Sequence, residues 1–273
     1  MKLTRRRFLA LLAGGLAPLT LDLSFIEPYL FVETSHISIT LPKPFTSTLR
    51  ILHVTDTHFG NSLVSFVYEA VVSRAKEAKP DLIAYTGDLV SKAESFEDAV
   101  SFVEALASEA PVFVVWGNWD HWSLGGEIGE LKKHLEDIEG VKVLVNEGEA
   151  FRDDVYIVGV DDPYLWRSDL SQALSNAPDT CVKVLLAHSP QIIGEAAGKV
   201  DVVLAGHTHG GQVVIPLVGP LFVPLPSEYR RFLAGAFFED GTYMYVSRGI
   251  GMSLLPVRFL CPPEVAVIDL EES

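Results

Sequence analysis

The sequence predicts an α/β (α+β) domain, on three observations. From Leu49 onward, short apolar runs of strand length alternate with amphipathic stretches at helical spacing, the pattern of strands joined through helices and therefore paired in parallel. Later runs are separated by few residues, as in hairpins. Five of the apolar runs end in a polar cluster: ILHVTDTHFG, LIAYTGDLV, VFVVWGNWD, VLLAHSP and VVLAGHTHGG. Open α/β sheets gather their ligands at the carboxyl ends of strands, so five such endings on one rim point to a metal site.

The chain has 273 residues, of which 48% are hydrophobic, 10% aromatic and 21% charged, enough apolar material for a core and too aromatic for disorder. Its net charge is −15; without Lys2, Arg5, Arg6 and Arg7 of the leader the remainder carries −19. Such a body repels a polyphosphate backbone, so no nucleic-acid partner is expected, and nothing in the sequence predicts a protein partner. Cys181 and Cys261 give neither a disulfide framework nor a zinc or CxxC spacing, and Cys181 opens an apolar run as a buried thiol would.

Taken in order, residues 1–21 read as an export leader: a basic cluster, KLTRRRFL, then an apolar stretch with Gly14, Gly15 and Pro18. Thr4-Arg5-Arg6-Arg7-Phe8-Leu9 resembles the twin-arginine signal, which implies export to the outer face of the cytoplasmic membrane, the periplasm or the cell wall. The apolar stretch is short for a spanning helix, yet no clean cleavage site follows, so removal and retention as an anchor both stay open. Residues 22–48 hold one strand, at 36–41, and a Pro-rich linker leading into the domain at 49–271. Strands are expected at 49–55, 82–86, 112–116, 141–145, 155–160, 182–187, 202–205, 212–215, 242–247 and 265–270. Helices are expected at 65–79, 95–107, 127–139, 170–176 and 190–199.

The strand ends carry the chemistry. Asp56-x-His58 sets a carboxylate and an imidazole two residues apart, a spacing that points both the same way at a strand end. Gly87-Asp88 puts a carboxylate after a residue that lets backbone and ion approach closely. Gly117-Asn118-x-Asp120 adds an amide oxygen and a carboxylate, His188 ends an apolar run, and Gly206-His207-Thr208-His209 repeats the two-residue spacing with imidazoles. The donor set is mixed nitrogen and oxygen without thiolate, which favours Mn, Fe, Zn, Co or Ni over a structural zinc.

This series resembles the calcineurin-like metallophosphoesterases over about residues 49–271. The resemblance implies two mixed β-sheets packed as a sandwich and flanked by helices. It implies one divalent ion held by Asp56, His58, Asp88 and His209, and a second held by Asp88, Asn118, His188 and His207. Two such ions about 3.5–4 Å apart share a water and lower its pKa, and the hydroxide attacks a phosphoester or pyrophosphate; the alternative is a non-catalytic metal- and phosphate-binding protein on the same fold. GHTHGGQ at 206–212, Ser247-Arg248-Gly249-Ile250-Gly251 and Arg258-Phe259 resemble the exported, membrane-associated bacterial branch, which implies an envelope or lipid-linked substrate and a membrane surface as partner.

The sequence departs from the family at Trp119, where the third motif, GNHD, has its histidine. That histidine, paired with the aspartate, assists charge stabilisation or leaving-group protonation, and an indole cannot transfer a proton at neutral pH. Either the leaving group needs no proton, or another group stands in, His121 and Arg248 being the nearest; with Asp88, Asn118 and Asp120 these make up the catalytic candidates. The apolar, Pro-rich stretch 213–238, with Arg230 and Arg231, is either a loop over the core or a lip that meets a membrane.

Overall fold

A computed structural model describes residues 31–43, 46–61 and 65–273. The leader expected at 1–21 lies outside the described residues. Among those residues, no helix is long and apolar enough to cross a membrane.

Two six-stranded mixed sheets stack face to face. The first, in spatial order, is β1 (Glu33–Leu41), β14 (Glu264–Glu272), β2 (Leu49–Val54), β3 (Leu82–Thr86), β4 (Val112–Val115) and β5 (Val141–Val143). The second is β12 (Gly235–Glu239), β13 (Thr242–Val246), β9 (Val202–Ala205), β8 (Val182–Leu186), β7 (Val155–Gly159) and β6 (Glu147–Arg152). As expected from the helical connections, β2 to β5 run parallel. So do β7, β8, β9 and β13. Hairpins close the second sheet at both edges, β6 with β7 and β12 with β13. The strand expected at 36–41 is longer and lies in the first sheet, parallel to β14, which is itself antiparallel to β2.

Period-two alternation sorts each strand's side chains between two layers. Ile51, Leu82, Ala84, Phe113 and Val115 meet Val184, Leu186, Val202 and Leu204 between the sheets. The alternate residues, Leu52, Val54, Ile83, Tyr85 and Val114, pack against helices α1 (Ser65–Ala78), α2 (Phe96–Ala107) and α4 (Ile128–Glu136). On the far side, Val158, Leu185 and Val203 pack against the short α5 (Leu170–Ala173) and α6 (Ile193–Ala196). Strands covered on both faces read as unbroken apolar runs.

Besides the edge strands β6 and β12, which the sequence reading did not expect, three details differ from the expectations. Of the strand expected at 212–215, only β10 (Val214–Ile215) pairs, with β11 (Gly219–Pro220). The helices expected at 170–176 and 190–199 shrink to α5 and to a 3-10 turn, Pro190–Ile192, followed by α6. Asn118–Leu124 forms a helix, α3, that the sequence reading passed over.

Candidate metal centre

The carboxyl ends of β2, β3 and β4 and of β8 and β9 converge on one rim, and each delivers its polar cluster there. The ligand atoms of Asp56, His58, Asp88 and His209 lie within 4.8 Å of one another, as do those of Asp88, His188 and His207. All six residues are buried. Asp88 belongs to both groups.

The way the chain reaches this arrangement is not the extended alternation read from the two-residue spacings. Asp56, His58, Asp88, His207 and His209 all have left-handed backbone, with φ between 50° and 71°. These ligands therefore sit past the strand ends on tight turns, each costing on the order of 1–3 kcal/mol and held by the surrounding structure. The glycines serve close approach. A Cβ on Gly87 (φ 84°) would stand 2.6 Å from the Gly117 nitrogen, and one on Gly206 would collide with Thr55 and Asp56.

The donor set fits divalent cations on two independent observations. The first is a set of imidazole nitrogens turned toward one another. His188 donates from Nδ1 to the Thr86 carbonyl (2.8 Å), and His207 from Nε2 to the Pro224 carbonyl (3.0 Å). With both rings neutral, each would turn a lone pair to the other, His188 Nε2 to His207 Nδ1, at 3.1 Å. Only a cation or a shared proton relieves that contact. His58 and His209 face each other likewise, Nε2 to Nε2 at 3.0 Å, with the His58 Nδ1 fixed by Ser91 Oγ at 2.8 Å. The second observation is Asn118, whose buried side-chain oxygen has no hydrogen-bond partner. A buried acceptor left unpaired is costly unless something is meant to fill it.

Carboxylates complete the shell. Asp88 Oδ2 is 3.4 Å from His58 Nε2 and 3.3 Å from His188 Nε2, and Asp56 Oδ1 is 3.4 Å from His209 Nε2. Both Asp56 oxygens accept from the His207 backbone N–H, at 3.1 and 3.0 Å. Burial raises Asp56 to about 6, against the opposing charge of His188. Burial also pushes Asp88 upward, but the charge and hydrogen bond of His188, with His58 and His207, hold it well below the usual carboxylate range. Burial lowers His58 to about 4 and His207 to about 3. His188 resists burial and stays well above its ordinary value because Asp88 faces it. An anionic Asp88 beside neutral His58 and His207 suits metal ligation, whereas His188 would have to give up the proton that Asp88 stabilises on it before it could ligate.

The other candidates take different places. Asp120 is buried with both oxygens occupied by backbone, Oδ1 by Val90 N–H (3.0 Å) and Oδ2 by Gly117 N–H (2.9 Å). It clamps the turn carrying Asp88 to the turn carrying Asn118, and does not line the cavity above the ions' positions. Burial, then the charge of Asp88, raises it to about 7. His121 is bound to Asp161 Oδ1 at 2.6 Å and is outside the cavity lining. Arg248 is outside it too, held in ion pairs with Glu264 (3.1 Å) and Glu33 (3.0 Å). Arg231 pairs with Glu239 and lies over the Phe232 ring, and Arg230 donates to the Leu225 carbonyl.

Several functional neighbours were not read from the sequence. Ser91 and the Thr86 and Pro224 carbonyls fix the imidazoles, and Thr55 Oγ donates to Asp56 (2.7 Å). Arg258 is wholly buried and makes no ion pair to a carboxylate among the described residues. Its guanidinium donates to the carbonyls of Arg248, Gly249, Gly251 and Cys261 and stands 3.3 Å from His209 Nδ1. The strap it holds, residues 248–251, binds back onto the first ligand turn through Ile250 N–H to Thr55 O and Gly251 N–H to Asp56 O.

A cavity of about 380 Å³ opens above the ligands. Trp119, Trp122 and Tyr164 form one wall, in edge or tilted contact from His58 round to His207. Leu221, Phe222, Leu254 and Leu255 form part of the rest, and no lysine or arginine lines it among the described residues. A larger hollow beside α1 and α2, walled by Phe59, Tyr68 and Phe102, contains none of the ligands.

The sequence model of the calcineurin-like phosphoesterases matches residues 49–211. The chain is 30% identical over 290 residues to an uncharacterised metallophosphoesterase of Bacillus subtilis, YkuE, covering 100% of this chain and 99% of that protein. It is 30% identical over 285 residues to the phosphodiesterase YaeI of Escherichia coli, covering 98% and 99%. Among solved structures, TT1561 of Thermus thermophilus shares the fold, with a TM-score of 0.52 and 16% identity over 75% of this chain and 91% of that one.

Proposed function

Since the chain belongs to the calcineurin-like phosphoesterase family and keeps a buried Asp/His centre for two metal ions, we propose that this metal-dependent phosphoesterase cleaves a lipid-linked phosphodiester or pyrophosphate at a membrane surface. When bound, two divalent cations supply an activated water and neutralise charge on the phosphoryl oxygens. The chain's own part is to hold them: Asp56, His58, Asp88 and His209 on one side, Asp88, Asn118, His188 and His207 on the other. Asp120 keeps the two central turns in register, and Trp119, Trp122 and Tyr164 wall the cavity in which the ester would sit.

The observation that supports a lipid-linked substrate is the collar around the cavity mouth. Trp122, Leu221, Phe222, Leu254 and Leu255 line the cavity and are also exposed, and Leu217 and Val218 extend the apolar surface along the β10–β11 hairpin. A clustered apolar surface at a site mouth marks an interaction face. The engaged state of Arg230 and Arg231 leaves this collar, rather than those cations, as the support. Of the two ester classes, the name of the relative YaeI and the absence of lysine and arginine among the described residues lining the cavity favour a diester with a single charge.

The test compares a water-soluble diester with the same headgroup in phospholipid vesicles. Leu217→Ser/Val218→Ser, outside the cavity, is expected to lower vesicle turnover and leave soluble turnover unchanged. Equal vesicle turnover in both proteins would reject the membrane reading. We also propose export through the twin-arginine leader, supported by Arg5-Arg6 ahead of the apolar stretch. Arg5→Lys/Arg6→Lys is expected to retain the protein inside cells, and unchanged export would reject that route.

A further inference from the structure

We propose that Tyr164 is the proton donor to the leaving group, in place of the histidine that Trp119 replaces. The inference rests on the phosphodiester-hydrolysis reading but not on a membrane or a lipid.

Three observations carry it. Asp120, the carboxylate of the same motif, has both oxygens on backbone N–H groups and does not line the cavity, and Trp119, beside His58, has no proton to transfer. Apart from the ion ligands, Tyr164 is the one titratable side chain among the residues lining the cavity. Its ring leans over His207 at 4.5 Å between centroids, which sets it beside the second ion's position, and its phenol makes no hydrogen bond to another described residue.

The ring is also held for a task. Asp162, buried, accepts from the backbone N–H of Tyr164 (3.1 Å) and of Leu165 (2.9 Å), and Gln191 donates to the Pro163 carbonyl (2.5 Å). Trp166 turns the chain at φ 58° and its N–H returns to Pro163 O. A loop pinned at four points presents an unpaired hydroxyl at the cavity wall.

The step balances as follows. A water oxygen bonds to phosphorus while the bond from phosphorus to the leaving oxygen breaks, and that electron pair goes to the leaving oxygen. The Tyr164 phenol gives that oxygen its proton. The attacking water releases a proton to solvent, and the phenolate takes one back. A phenol is a recognised general acid, and its help matters most where the leaving oxygen is most basic.

The test uses Tyr164→Phe, which keeps the ring, in the metal-loaded full chain. The substrates are methyl phosphodiesters whose leaving groups are p-nitrophenol, phenol and a primary alcohol. General acid catalysis is commonly worth about 100- to 10,000-fold, so the expected loss in kcat is about 100-fold for the alcohol and within about threefold for p-nitrophenol. Metal content and the calorimetric affinity for inorganic phosphate should match the native protein. A loss equal for all three esters, or a fall in metal content, would make Tyr164 a packing residue and overturn the proposal, as would no loss at all. Failure of the native, metal-loaded protein to cleave even the p-nitrophenyl diester would instead overturn the diesterase reading, and Tyr164's role with it.

Discussion

Arg258→Met should both destabilise the protein and loosen the first ion. Arg258 is wholly buried without a carboxylate, so its place in the fold depends on carbonyl acceptors. Among the described residues, the carbonyls of Arg248, Gly251 and Cys261 take their hydrogen bonds from it alone, at 2.8, 2.6 and 3.2 Å. Each buried acceptor left unpaired costs about 1–3 kcal/mol, so three give roughly 3–9 kcal/mol, and relief of an uncompensated buried cation keeps the net near the lower figure. At about 2–4 °C per kcal/mol for a chain of this size, the melting temperature should fall by about 10 °C. The strap at 248–251 is then free to leave the Asp56 turn, so the metal retained after dialysis should also drop. Arg258→Lys, with one nitrogen in place of a planar fork, should recover only part of either loss. Scanning calorimetry and elemental analysis read both quantities. A melting temperature within about 2 °C of native, with full metal content, would refute the reasoning.

Two further outcomes follow from the same contacts. Glu264 is held below the usual carboxylate range: burial raises it, but hydrogen bonds from Arg248, Ser35 and Tyr245 prevail. Its contribution to stability is therefore full above the ordinary carboxylate value and lost as pH falls through the lower folded one. Glu264→Gln should cost about 2 kcal/mol at neutral pH and flatten the acid limb of a urea-midpoint profile, and an unchanged limb would contradict the pairing. Ser91→Ala removes the group that orients His58, and metal affinity by competition with a chelator should weaken about 10- to 100-fold; unchanged affinity would show that Ser91 does not orient that ring.

The residues that gather into the two candidate ligand groups were legible because each follows an apolar run, and residues that end adjacent parallel strands are neighbours in space whatever their separation in sequence. The fold was legible for the same reason, through strands buried on both faces. Their partners were not. The acceptors for His188 and His207 are the carbonyls of Thr86 and Pro224, and a carbonyl carries no signature in sequence. Asp120 was counted among the catalytic candidates as the carboxylate of its motif; its two backbone donors reveal a clamp. Arg248 was a candidate to stand in for the missing motif histidine, but Glu264, distant in sequence, claims it. The edge strands β6 and β12 contain no fully buried residue, so they lack the apolar run by which the inner strands were found. Tyr164 and Arg258 gain meaning from contacts across the chain, which no local pattern encodes.

The most direct test of the two-ion centre is metal stoichiometry read together with turnover of an aryl phosphodiester, for native protein and for Asp88→Asn, after chelation and after return of single divalent metals. Asp88 belongs to both ligand groups, so the account predicts about two ions per native chain, turnover restored only with metal, and a mutant that loses both ions and about 1,000-fold or more in kcat. A mutant that keeps two ions and near-native turnover, or a native protein whose turnover survives complete chelation, would contradict it.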